Sequence, residues 1–115
     1  MKLQLYIKDC LAGMAKMKVG SVDLIVTSPP YNLGIKYKSY DDNIPRSEYL
    51  KWMTEWGKAV SNILTDDGSL FLNMGARPVD PTIPFQVLNC LTESSNHSTP
   101  SGAFTSSSGA FQLPM

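Results

Sequence analysis

In Val22-Asp23-Leu24-Ile25-Val26-Thr27-Ser28-Pro29-Pro30-Tyr31-Asn32, a compact apolar run rich in β-branched residues leads straight into a double proline. Such a run reads as a strand buried in a parallel sheet. The prolines, which fix φ and lack an N–H, end it. In an open α/β sheet, ligands bind at the carboxyl ends of the strands, so a site is expected at the turn that follows.

Working outward, Leu3, Leu5 and Ile7 fall on one face of a period-two run and predict an upstream strand. Asp9 is placed to cap a short helix through Lys18, with Leu11, Met14 and Met17 inward and Gly20 past its end. Downstream, a helix is predicted over about residues 47–64, with Ser47 as cap. Leu50, Met53, Gly57, Val60 and Leu64 form one stripe, widened by Trp52, Trp56 and Ile63. The tryptophans read as core. Asp66-Asp67-Gly68 predicts a turn, and Ser69–Met74 another strand. Strands alternating with helices imply crossover connections. The predicted class is α/β with a mostly parallel sheet.

The chain has 115 residues, less than one typical domain, and its ten basic and ten acidic side chains cancel. Bulk charge therefore excludes a histone-like mode of nucleic-acid binding, though not a local basic loop. No apolar run approaches a membrane span, and the N-terminus lacks a signal-peptide core. Cys10, Cys90 and the single His97 are too few for a disulfide scaffold or a metal cluster, and the thiols fit a reducing cytoplasm. Composition changes near residue 90. Residues 1–89 hold nineteen of the twenty charged side chains, whereas 90–115 hold seven serines and a repeated Ser-Gly-Ala-Phe, at 101–104 and 108–111. The expected organisation is a folded part, 1–89, and a low-complexity, disordered tail, 90–115, either a floppy end or a partner-binding segment.

Two consecutive prolines stiffen the turn at Ser28–Tyr31 and leave its carbonyls outside the sheet's ladder. Ser28 precedes the turn and Tyr31 follows it. The combination reads as a small acceptor-rich pocket with a stacking platform, suited to an amino group on a planar ring. An ordinary strand-ending turn is the alternative.

These residues resemble the catalytic motif of the amino-methylating DNA methyltransferases, (Asp/Asn/Ser)-Pro-Pro-(Tyr/Phe) at a strand end. Asp9-Cys10-Leu11 with Gly13-Met14 resembles the segment upstream of that motif. Ser47–Trp52 and Asp67–Asn73 resemble the elements downstream, so the likeness covers roughly residues 3–89. A motif near the N-terminus is the order of the β group, whose fold is a Rossmann-like sheet. The resemblance implies transfer of a methyl group from S-adenosylmethionine to the exocyclic amino group of cytosine (N4) or adenine (N6) in double-stranded DNA, as in restriction-modification. The target base would be rotated out of the duplex. Tyr31 would stack on it, and Ser28 with the carbonyl of Pro29, in the corner completed by Pro30, would hold its amino hydrogens. Direct displacement needs no cysteine nucleophile. The leading serine favours cytosine. Asp9 matches an acidic position near the cofactor's adenine, with helix capping as its other reading. Asn32 and the loop bearing Lys36, Tyr37 and Lys38 are candidates for DNA contact and for closure over the base, or a solvated surface loop.

The sequence also departs from the family. Of its eight glycines no two are separated by one residue, so the Gly-x-Gly turn that approaches the cofactor is missing, as is room for a target-recognition region. The expectation is an N-terminal part of a methyltransferase, truncated or frame-shifted, binding S-adenosylmethionine weakly and inactive alone. Alternatives are a non-catalytic half completed by a second polypeptide, or a relative that methylates a protein glutamine or RNA.

Overall fold

The computed structural model describes residues 1–30, 32 and 44–94, together with the backbone of two short strands in the tail. The elements are α1 (Cys10–Met14), β1 (Val22–Thr27), α2 (Arg46–Ile63), β2 (Leu64–Asn73), α3 (Ile83–Ser94), β3 (Phe104–Thr105) and β4 (Ala110–Pro114).

β1 pairs with β2 in parallel, in the register Leu24↔Ser69, Ile25↔Leu70, Val26↔Phe71 and Thr27↔Leu72. The α2 crossover makes this pairing possible. The backbones of β4 and β3 continue the sheet antiparallel, in the order β1-β2-β4-β3. The α/β class and the crossover-connected parallel pair are as the sequence predicts. The antiparallel additions come from the tail, whose remaining residues lie outside those described.

α2 begins after Pro45, whose ring presets φ at −52° while ψ stays extended at 142°. Pro45, not Ser47, occupies the N-cap, and no side chain caps this helix; Glu48 lies in its first turn, where the helix dipole favours an acid. The buried face is Tyr49, Met53, Trp56, Gly57, Val60 and Ile63, the expected stripe rotated slightly toward Tyr49. Leu50 and Trp52 are half-buried. At its C-terminus α2 passes directly into β2. The segment leading into β1 satisfies two of its last carbonyls: Gly20 N–H donates to Asn62 O (3.1 Å) and Ser21 N–H to Ile63 O (2.8 Å). Gly20 makes this approach at φ +61°, a region that favours glycine.

Leu70 and Leu72 on β2, with Met74 just past its end, meet the buried face of α2 and that of α3, which contributes Ile83, Val87 and Leu91. Leu11 and Met14 of α1 pack on the same core.

Several expectations fail locally. Residues 1–9 form no strand, and Leu3, Leu5 and Ile7 stay exposed. Alternation defines a face but supplies no partner for a strand's N–H and C=O groups. α1 stops at Met14, and Met17 is exposed. Asp66-Asp67-Gly68 lies within β2 as a detour, not a turn between elements. Between the pairs Val22↔Leu64 and Leu24↔Ser69, β1 advances two residues while β2 advances five. Gly68 eases the packing there, because a Cβ would sit 2.9 Å from Leu64 Cδ2 and 3.1 Å from the Thr65 carbonyl oxygen, and both would have to shift. Finally, α3 runs across the composition break at residue 90 and buries Leu91 beyond it.

Candidate active site

β1 carries the double proline to the carboxyl end of the parallel pair. Ser28 is exposed at the rim, Pro29 is buried and Pro30 half-buried. Because β1 and β2 run parallel and in register to their ends, Asn73 arrives at the same rim. Its side-chain amide faces Ser28 Oγ at 3.4 Å, a long contact. Val26, Thr27, Ser28, Phe71, Leu72 and Asn73 line an open groove of about 470 Å³, apolar along its floor and polar at the Ser28–Asn73 end.

Two further contacts come from the start of α2. The Tyr49 hydroxyl donates to the Pro30 carbonyl at 2.6 Å. Asn32, at φ +57°, a conformation that asparagine tolerates, clamps the backbone of Ile44: Nδ2 donates to Ile44 O (3.1 Å) and Ile44 N–H to Asn32 Oδ1 (3.0 Å). The first turn of α2 and Ile44, the residue before its N-cap, thus hold the two flanks of position 31. That turn is itself tied down, since Arg46 pairs with Asp80 and donates to Gln86 Oε1 on α3 at 2.6 Å. Hydrogen bonds from Thr82 and then Arg46 hold the Asp80 carboxyl below its ordinary range.

The structure therefore gathers Ser28, Pro29, Pro30 and Asn32 at the rim. Tyr31, Lys36, Tyr37 and Lys38 lie outside the described residues. Asp9 caps α1, its Oδ2 accepting from the Ala12 N–H at 3.0 Å. It also lines a separate recess of about 390 Å³ with Gln4, Tyr6, Cys10 and Met14, which shares no residue with the groove at the corner. Partial burial, and then the Asp9 carboxylate, push the Cys10 thiol up, which makes it a poor nucleophile. Among the described residues no three His, Cys, Asp or Glu side chains group as metal ligands, and no helix is long and apolar enough to cross a membrane.

Sequence reading missed Tyr49 and Asn73. Tyr49 sits on the helical stripe, where an aromatic signals core. Asn73 ends a strand, and only the parallel register brings it to Ser28.

Chemically, the rim presents a hydroxyl and a primary amide, and the next carbonyl along the chain, that of Pro29, accepts from no group among the described residues. This suits a planar ligand bearing an amino group beside an acceptor nitrogen.

The profile of the N6/N4 DNA methylase family matches residues 22–100. The type II methyltransferase M.MjaVI of Methanocaldococcus jannaschii is 56% identical over 54 residues, 47% of this chain and 28% of that protein. M.HpaI of Haemophilus parainfluenzae is 32% identical over 77 residues, 67% of this chain and 24% of that one. Among solved structures, the cytosine-N4-specific PvuII DNA methyltransferase superposes with a TM-score of 0.57 at 27% identity, over 76% of this chain and 32% of the other. The chain spans about a quarter to a third of the length of these proteins.

Proposed function

Because this chain belongs to the N6/N4 DNA methylase family, we propose that its double-proline corner is the target-base pocket of a DNA amino-methyltransferase acting on cytosine N4 or adenine N6, as in restriction-modification. The observation that carries this reading is the meeting of Asn73 with Ser28, the residue that leads the double proline, at the carboxyl rim of the parallel pair. Ser28 Oγ and the Pro29 carbonyl accept the two amino hydrogens. The Asn73 amide would donate to the ring nitrogen beside the amino group, a pattern that cytosine and adenine share on their Watson–Crick edges and that thymine and guanine lack on theirs. Tyr31 covers the base's face once the base has left the stack. Holding both hydrogens draws the nitrogen lone pair out of conjugation with the ring, and fixing its direction is the largest contribution this chain makes to the rate. Lys36, Tyr37, Lys38 and the residues around Asn32 contact the DNA backbone.

When bound, S-adenosylmethionine supplies the electrophilic methyl group. The residues of this chain fit only part of it. Asp9 and Gln4, with Met14 as an apolar wall, suit the edge and face of an adenine ring, but no Gly-x-Gly turn is present to approach the rest. The whole reaction therefore draws on residues beyond these.

The test is a duplex with 2-aminopurine at an unpaired position, whose fluorescence rises when the base leaves the stack. The chain is expected to raise it, and Tyr31→Ala to raise it further, because the extruded base then lacks the ring whose stacking quenches it. No rise with the wild-type chain, alone or co-expressed with the remaining part of a related methyltransferase, overturns the proposal.

A further inference from the structure

Tyr49 is fully buried in the core, yet it carries a hydroxyl. A buried phenol needs a hydrogen-bond partner, and this one takes its partner from the corner, the Pro30 carbonyl at 2.6 Å.

The four backbone dihedrals of the double proline explain why that matters. The two rings fix φ at Pro29 and at Pro30. Pro29 also precedes a proline, which confines its ψ to the extended region. Only ψ of Pro30 is left open by the sequence. That angle sets the direction of the Pro30 carbonyl and, through the planar peptide, of the amide of residue 31. The atom that fixes it is the Tyr49 hydroxyl. On the far side, the Asn32–Ile44 clamp anchors the chain to the residue just before the N-cap of α2.

Resting on the amino-methyltransfer reading, we infer that Tyr49 is a positioning residue for the target base: it claims the Pro30 carbonyl, fixes the last free dihedral of the corner, and leaves the Pro29 carbonyl as the acceptor for the amino group. Tyr49 does not touch the base itself. The core needs an aromatic ring at this position; the site needs the oxygen on it.

The test uses the full chain carrying ¹³C-carbonyl proline, with 1-methylcytosine and 9-methyladenine as probes. In the wild type, adding either base is expected to shift the Pro29 carbonyl resonance and leave that of Pro30 in place. Tyr49→Phe keeps the ring and removes the oxygen. It is expected to move the Pro30 resonance without any base present, and to weaken base binding at least threefold. Should Tyr49→Phe not fold, 3-fluorotyrosine at position 49 retains ring and hydroxyl with a stronger donor, and is expected to shift the Pro30 carbonyl alone. An unmoved Pro30 resonance in the modified chain, or base binding as tight as wild type in Tyr49→Phe, overturns the positioning role. A wild-type chain that binds neither base, while Tyr49→Phe still moves Pro30, overturns the methyltransferase reading instead and leaves the bond a feature of the fold alone.

Discussion

At the scale of single residues, the backbone around the site is held by a few polar contacts, and each can be tested singly. Asp80 is the clearest for pH. Its folded carboxyl titrates below the ordinary value, first through Thr82 and then through Arg46. Ionised Asp80 therefore stabilises the fold at and above the ordinary carboxylate range of about 3.9, and the contribution is lost as pH falls through the lower folded value. Acid unfolding followed by circular dichroism below about pH 4 is expected to be shallower in Asp80→Asn than in wild type. Gly68 is the clearest for sterics: a Cβ meets a backbone oxygen at 3.1 Å, which must give by a few tenths of an ångström to admit it. Gly68→Ala is expected to destabilise by about 1–3 kcal/mol, read as a lower midpoint in urea. Ser28, Pro29 and Pro30 were legible from sequence because their chemistry is local to the chain. Tyr49 and Asn73 were not, since they reach the corner from positions 19 and 45 residues away.

At the scale of elements, β1 and α2 followed from pattern, and the N-terminal strand and α3 did not. Leu3, Leu5 and Ile7 alternate as a strand should, but pairing is a property of two segments, and no described residue offers the second. α3 was hidden for the opposite reason. Its buried residues are Ile83, Pro84, Val87 and Leu91, a short stripe that opens on a proline and runs into the serines. Pro84 near the helix start is compatible with helix, because the first N–H groups have no internal partner. The packing of Leu91 gives a measurable consequence. Leu91→Ala is expected to cost about 2–5 kcal/mol, and a chain ending at residue 89 is expected to lose its cooperative thermal transition. An unchanged melt in either would place the core's boundary before α3.

At the scale of the whole molecule, the helices α1, α2 and α3 all pack into one core, and the other face of the sheet carries Leu24, Val26 and Phe71 in the open. Parallel sheets ordinarily bury both faces. Apolar area of this kind promotes association, so sedimentation velocity is expected to show concentration-dependent self-association of the chain. Val26→Lys with Phe71→Lys is expected to reduce it while the far-ultraviolet spectrum stays unchanged. The bare face also accords with a chain that spans about a quarter to a third of its relatives' length.

The detour at Asp66–Gly68 gives β2 slack well before the strand reaches its working end. A residue gained or lost in that bend would be absorbed upstream of Ser69, where in-register pairing with β1 resumes. The alignment that delivers Asn73 to Ser28 is thereby insulated from length drift at the opposite edge of the sheet, and insertions there should be silent for chemistry while the same change at Phe71 or Leu72 would pull the two side chains apart.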